Sequence, residues 1–319
     1  MAQKRFLITA PVEEVVIELL EGHAPTVTSP ATDQKTLSGL LSGTIGIVAR
    51  GEARITPELV EAAPDLQVVG RTGVGYDNVD VPALTRRSIP LIIAPVGGFS
   101  VAEGALGMLL CLIKNMRAMD SAVREGNWDI RYDGLVGDVA GHTVGIAGMG
   151  RIGSYLARLL QPFEVTVLGY DPYVDAGRMA EIGVRKVELK ELLARSDYVS
   201  FHMLLNDETR GMIDRDAVAG MKRGAVLLNL ARGGITDGLD TLADALDDGQ
   251  LSYVGLDVFP TEPPDVSHRI FKHPRCLFAP HSLGMSELAM DRVGRSMAND
   301  MLAVLEGKRP QHCVNPEVF

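Results

Sequence analysis

Three short runs in the second half of the chain carry side chains suited to a carbonyl reduction. They are Asn229-Leu230-Ala231-Arg232-Gly233-Gly234, Asp257-Val258-Phe259-Pro260-Thr261-Glu262-Pro263 and Ala279-Pro280-His281-Ser282. Each places a polar residue just after an apolar run that reads as a strand, and α/β sheets put their sites at the C-terminal ends of strands. Reduction of a 2-keto acid needs a cation to grip the carboxylate and polarise the ketone. The planar fork of an arginine, here Arg232, binds two oxygens at once. It also needs a proton donor for the developing alkoxide, and a histidine such as His281 titrates in the useful range. A carboxylate beside it, Glu262, favours the imidazolium and fixes the tautomer. Singly, these residues read as a salt-bridge partner, a loop histidine and a solvated acid. Together, beside a dinucleotide turn, they read as a site. His202, also at a strand end, reads as structural or cofactor-adjacent.

That turn is Gly148-Met149-Gly150-Arg151-Ile152-Gly153, between an apolar strand and a helix over 151–160. The first glycine permits the tight turn, the second lets a pyrophosphate approach the backbone, and the third allows close helix–strand packing. The helix start offers unpaired N–H groups and partial positive charge to phosphates. Asp171 ends the next strand, where an acid accepts hydrogen bonds from the adenosine ribose and repels a 2′-phosphate. No arginine follows at once, so the reading is NAD over NADP.

The elements that position these residues alternate in type. Residues 5–9, 45–49, 66–69 and 91–93 read as strands. Val12, Val15, Val16, Leu19 and Leu20 share one helix face, ended by Gly22, and Thr56-Pro57 is a capped helix start. A second strand–helix series begins at Thr143, with strands at 143–147, 165–169, 198–201, 225–229, 253–256 and 276–279 and helices at 191–195 and 237–247. One long helix lies between Gly284 and Gly307. Strands separated by helices imply parallel sheets covered on both faces, so the fold class is α/β, with two doubly wound domains and a cleft between them.

At 319 residues the chain suits two domains. A net charge of −10 argues against nucleic acid or an anionic membrane as the main partner. Cys111, Cys276 and Cys313 are too few and too scattered for a disulfide framework or a zinc site, so no metal is expected. Cys111 sits in an apolar helical run and reads as core. The ten-residue run 104–113 is too short to span a bilayer. With no signal-peptide pattern at the start, the expected location is the cytoplasm.

These runs, taken in order, resemble the D-isomer-specific 2-hydroxyacid dehydrogenases over nearly the whole chain. The resemblance also includes Gly70-Arg71-Thr72-Gly73-Val74-Gly75-Tyr76-Asp77-Asn78-Val79-Asp80, the Val101-Ala102-Glu103 helix entry, Asn206-Asp207-Glu208-Thr209 and Val314-Asn315-Pro316-Glu317-Val318. The segments around Gly70 and Asp257 look most like D-3-phosphoglycerate dehydrogenases and hydroxypyruvate reductases, without a long C-terminal extension. The resemblance implies a Rossmann cofactor domain, residues 106–282, inserted into a discontinuous flavodoxin-like substrate domain, residues 1–105 and 283–319. It implies that Arg232 binds the substrate carboxylate and carbonyl, that His281 is the acid/base with Glu262 as partner, and that the backbone of Gly73, Val74 and Gly75 cradles the carboxylate. Gly148, Gly150, Arg151, Ile152, Gly153 and Asp171 hold pyrophosphate and ribose. Met203, Leu230, Ala231 and Asp257 line the rest of the NAD track. Relatives are dimers through the cofactor domain.

Three departures stand out. Leu204 replaces a usual proline. The 95–103 loop is one residue shorter than usual. It reads Val96-Gly97-Gly98-Phe99-Ser100, without the Asn and Thr common there; since this loop faces substrate in relatives, Phe99 either narrows the pocket or favours an apolar or differently shaped substrate side chain. The substrate expected is a small 2-keto acid such as hydroxypyruvate or glyoxylate. Formate oxidation on this fold pairs His with Gln, where this chain has Glu262. An NAD-sensing corepressor of the same fold keeps the Arg/Glu/His set, and turnover of a keto acid distinguishes it from an enzyme.

Overall fold

Every strand–strand pairing in the two sheets of the computed structural model is parallel; the structure describes residues 3–134 and 136–319. In chain order the first elements are β1 (Arg5–Ile8), α1 (Glu14–Glu21), β2 (Thr26–Thr28), α2 (Gln34–Ser38), β3 (Thr44–Ala49), α3 (Pro57–Glu61), β4 (Val68–Arg71), α4 (Val81–Arg86), β5 (Leu91–Ile92), α5 (Gly98–Ile113) and α6 (Met116–Arg124). They are followed by β6 (Thr143–Ala147), α7 (Arg151–Leu160), β7 (Thr166–Tyr170), α8 (Ala176–Ala180), β8 (Val184–Lys186), α9 (Leu189–Arg195) and β9 (Tyr198–Phe201). The last are α10 (Arg215–Ala219), β10 (Ala225–Asn229), α11 (Leu239–Asp247), β11 (Leu251–Leu256), β12 (Cys276–Phe278) and α12 (Glu287–Leu305).

The chain divides into two compact units, Met1–Gly97 with Ser286–Phe319, and Gly98–Met285. The first holds a five-stranded sheet of order β2-β1-β3-β4-β5, the flavodoxin-like winding. Strand alternation sends Leu7, Ile47 and Val69 to one apolar cluster with α2, α3 and α4, and Phe6, Ile8, Val48 and Val68 to another with α1 and α12. Burial on both faces explains why β3 is apolar throughout, with all six residues buried. The Thr56 hydroxyl caps α3 by accepting from the Leu59 amide at 3.3 Å. The C-terminal tail returns to this sheet. The Asn315 side chain accepts from the Leu91 amide at 2.8 Å and donates to the Ile89 carbonyl at 2.9 Å.

The second unit holds a seven-stranded sheet of order β12-β11-β10-β9-β6-β7-β8. The order reverses between β6 and β9, the switch point at which open α/β sheets bind ligands beyond the strand ends. Its two faces are again sorted by alternation. Leu168, Val199, Leu227 and Val254 pack on one side, and Val144, Val167, Tyr198 and Leu228 on the other. Among the described residues no single helix is long and apolar enough to cross a membrane.

Two readings are corrected. Cys111 is exposed, not core. α5 buries Met108, Leu109, Leu112 and Ile113, whereas Cys111 falls on the face of Gly107, four residues earlier, where an added Cβ would meet nothing within 4 Å. α5 also begins at Gly98, so Gly98, Phe99 and Ser100 are its first turn, not loop. Helix entry at Val101 was expected because two glycines hid the earlier start.

Candidate active site

The glycine turn follows β6 directly. Gly148 has φ +96°, a left-handed conformation that glycine adopts without cost. Its amide donates to the Tyr170 carbonyl at 2.8 Å, which fastens the turn to β7. A Cβ at Gly153 would lie 2.1 Å from the Gly148 carbonyl oxygen, so only glycine lets α7 start this close to the turn. A Cβ at Gly150, by contrast, would meet nothing within 4 Å. Open space beside the first turn of α7 is what an approaching pyrophosphate requires. Asp171 sits beside it. Its Oδ2 accepts from the Met149 amide and its Oδ1 from the Tyr173 amide, both at 2.9 Å. Each oxygen retains capacity to accept from a ribose hydroxyl. The residues present therefore fit a dinucleotide. Arg151 is exposed and Ile152 half-buried at the start of α7.

His202 directly follows β9, and its amide donates to the Ala147 carbonyl at 2.7 Å. Its Nε2 and the Ser200 hydroxyl lie 2.8 Å apart, and burial pushes the imidazole down to about 4, so the ring is neutral near pH 7. Met203 is half-buried, while Leu204, in the place of the usual proline, is 57% exposed.

The three catalytic candidates follow β10, β11 and β12, which are neighbours in the sheet. After β10 the fully buried Asn229 frames the turn. Its Oδ1 accepts from the Ala231 amide at 3.1 Å, and its Nδ2 donates to the Arg232 carbonyl at 3.0 Å. Leu230 and Ala231 are buried and Arg232 is half-buried, with Nη1 donating to the Ala231 carbonyl at 2.8 Å. After β12, His281 adopts φ +54°, and its amide donates to the Asp257 carbonyl at 2.8 Å. The buried Asp257 carboxylate accepts from the Ser282 amide at 2.9 Å. Burial raises its pKa, an effect only partly offset by the Ser282 bond and the nearby His281.

Glu262 joins the two turns. Its Oε1 accepts from the Phe259 amide at 3.0 Å, and its Oε2 lies 2.7 Å from His281 Nδ1. Burial on its own would raise the Glu262 carboxyl. The hydrogen bonds from His281 and Phe259 and the charges of His281 and Arg232 outweigh it and hold the group below its ordinary value. With Nδ1 committed to Glu262, Nε2 is the nitrogen left for proton transfer. The Arg232 turn also packs on the Glu262 turn, since a Cβ at Gly233 would fall 1.9 Å from the Phe259 carbonyl carbon.

Gly73, Val74 and Gly75 belong to the other unit, after β4. Gly73 has φ +123°, and its carbonyl accepts from the Ala94 amide at 2.9 Å. Two supports were not foreseen, the framing of Arg232 by Asn229 and the holding of the His281 turn by Asp257. The one signal for the first was a polar residue closing an otherwise apolar strand.

A family model described as D-isomer specific 2-hydroxyacid dehydrogenase, NAD binding domain, matches residues 106–282. A D-3-phosphoglycerate dehydrogenase of Mycobacterium bovis is 38% identical over 271 residues, 84% of this chain and 51% of that protein. The chain thus spans about half the length of that curated relative. The crystal structure of a D-lactate dehydrogenase from Aquifex aeolicus, complexed with NAD and lactic acid, matches with TM-score 0.89 and 26% identity, covering 98% of this chain and 99% of that one. A glyoxylate reductase from Paecilomyes thermophila matches with TM-score 0.89 and 28% identity, covering 99% and 100%.

Proposed function

The chain belongs to the family of D-isomer-specific 2-hydroxyacid dehydrogenases, with an NAD-binding domain at residues 106–282, and on that premise we propose that it is an NAD-dependent oxidoreductase interconverting a small 2-keto acid and its D-2-hydroxy acid. The observation that carries this reading is the 2.7 Å contact between His281 and Glu262, one turn away from Arg232 and in the same unit as the glycine turn. When bound, the nicotinamide supplies or accepts the hydride. The Arg232 guanidinium holds the substrate carboxylate and polarises the C2 carbonyl. In reduction, His281 Nε2 gives a proton to the carbonyl oxygen; in oxidation it takes the hydroxyl proton. Glu262 keeps the Nδ1 proton in place and stabilises the charged ring.

The remaining roles extend the same reading. Gly148, Gly150, Arg151, Ile152 and Gly153 take the pyrophosphate and Asp171 the ribose. Met203, Leu230, Ala231 and Asp257 line the track toward the nicotinamide. Gly73, Val74 and Gly75 present backbone amides to the substrate carboxylate from the substrate domain, residues 1–105 with 283–319. A homodimer is part of the proposal. Trp128 and Tyr132, 62% and 73% exposed, and the exposed Met116 and Val123 on α6 are large apolar side chains that a second copy would cover. Light scattering should give twice the monomer mass, and a monomer overturns this. The proposed location is the cytoplasm, where reducing conditions keep the exposed Cys111 a thiol.

The direct test is oxidation of NADH against a panel of 2-keto acids including glyoxylate, hydroxypyruvate, pyruvate and 3-phosphohydroxypyruvate. Turnover of one or more is expected. NADH binding without any turnover overturns the enzymatic reading.

The ion pair also sets a pH response. Against its burial, the bonds from His281 and Phe259 and the charges of His281 and Arg232 hold the Glu262 carboxyl below its ordinary value, so its charge opposite Nδ1 is lost only as pH falls through that lowered value. Reductive kcat/KM should therefore persist through the ordinary carboxylate range and show an acid limb only below it. Glu262→Gln has no group to protonate there, so it should lack that limb and be slower by about a hundredfold across the range. A variant that keeps the wild-type rate and the acid limb would separate Glu262 from the proton transfer.

A further inference from the structure

In the second sheet β6 lies between β7 and β9, so the loops after β7 and β9 border the glycine turn on either side. One side-chain bond joins those two loops. The Tyr173 hydroxyl donates to Glu208 Oε2 at 2.6 Å, while the Tyr173 amide donates to Asp171. The Tyr173 ring is 77% exposed, so apolar burial does little to hold it, and its polar end fixes its direction. Glu208 is anchored too. Asn206 Oδ1 accepts from the Glu208 and Thr209 amides, each at 3.0 Å, and the Thr209 hydroxyl donates to the Leu204 carbonyl at 2.6 Å. The Tyr173 phenol is pushed up by its hydrogen bond to Glu208, with smaller contributions that include the charge of Asp171, so both carboxylates act on one side chain. The Lys186 ammonium, on β8, is engaged by the Val174 carbonyl at 2.7 Å.

We propose that Glu208, anchored by Tyr173, is a second specificity determinant for the dinucleotide, forming with Asp171 an acidic rim that rejects a ribose carrying a 2′-phosphate. The inference rests on the reading that Asp171 receives the adenosine ribose of NAD. A 2′-phosphate brings about two negative charges near pH 7, as phosphate monoesters do. Each carboxylate within a Debye length, roughly 10 Å at moderate salt, raises its binding free energy. An uncharged ribose hydroxyl feels little of this, so the rim separates the two cofactors instead of weakening both.

The experiment measures Kd for NADH and NADPH by nicotinamide fluorescence, at low and high salt, in Glu208→Gln, Glu208→Lys, Tyr173→Phe and Asp171→Asn. Glu208→Gln should tighten NADPH roughly three- to tenfold while NADH stays within about twofold, and Glu208→Lys should tighten NADPH further. Both gains should shrink at high salt. Tyr173→Phe keeps the charge but unpins it, and should give a smaller gain. A side chain that merely braced the loops would make Gln and Lys alter both cofactors alike, and that result overturns the proposal. Wild-type behaviour of Tyr173→Phe removes the anchoring role of Tyr173. If Asp171→Asn relaxes NADPH rejection but the Glu208 variants do not, the rim fails alone. If Asp171→Asn also changes nothing, the placement of the ribose fails with it.

Discussion

Arg232→Ala should lower kcat/KM for keto-acid reduction by about a thousandfold, at the upper end of losses on removing one preorganised charge-stabilising donor, while leaving the Kd for NADH nearly unchanged. The guanidinium sits on a turn whose backbone is fixed independently of it. Asn229 bonds the Ala231 amide and the Arg232 carbonyl, so truncating the side chain leaves the scaffold standing. The substrate anchor and the polarising charge are lost together. Glu262 also loses one of the charges holding it down, so its carboxyl should titrate higher. Arg232→Lys should recover little, because an ammonium cannot bind two oxygens in one plane. Stopped-flow reduction with parallel NADH titration checks this, and near-normal turnover would remove Arg232 from the site.

Gly233→Ala should be nearly as damaging, by a different route. The added Cβ falls 1.9 Å from the Phe259 carbonyl carbon and 2.0 Å from its oxygen, and both are backbone atoms with nowhere to turn. The turn carrying Arg232 must therefore part from the one carrying Glu262. Overpacking of this kind costs about 1–3 kcal/mol or more. For a chain this size that means a fall in Tm of roughly 5 °C. Activity should fall about a hundredfold, since small misplacements of catalytic groups have effects of that order. A melting curve and a kinetic assay on the same preparation would test it. Unchanged values in both would show that the two turns need not touch.

The sequence was most legible where one local rule dictates residue types. The glycine turn and its helix, Arg151–Leu160, were read to the residue because tight turning, phosphate approach and helix packing each demand glycine at a fixed spacing. Arg232, Glu262 and His281 could be chosen because each follows an apolar run that could only be a strand. Their assembly was less visible. Glu262 and His281 are 19 residues apart, and only the adjacency of β11 and β12 brings them within 2.7 Å. The short β2 and β8 went unread because Thr26–Thr28 and Val184–Lys186 each hold a single apolar residue, whereas the equally short edge strand β12 is apolar throughout. Cys111 was misplaced because a helix apolar all round gives no sign of which side faces the core. The supports from Asn229 and Asp257 depend on turns brought together only in the folded sheet.

His281 holds its backbone in the left-handed region, where a side chain costs about 1 kcal/mol relative to glycine. A chain selected for stability alone would place glycine or asparagine here, since either enters that conformation more easily. The imidazole therefore sits where thermodynamic and functional selection pull in opposite directions. Screens that reward only heat resistance should drift away from histidine at this position, and the most stable descendants should be inactive.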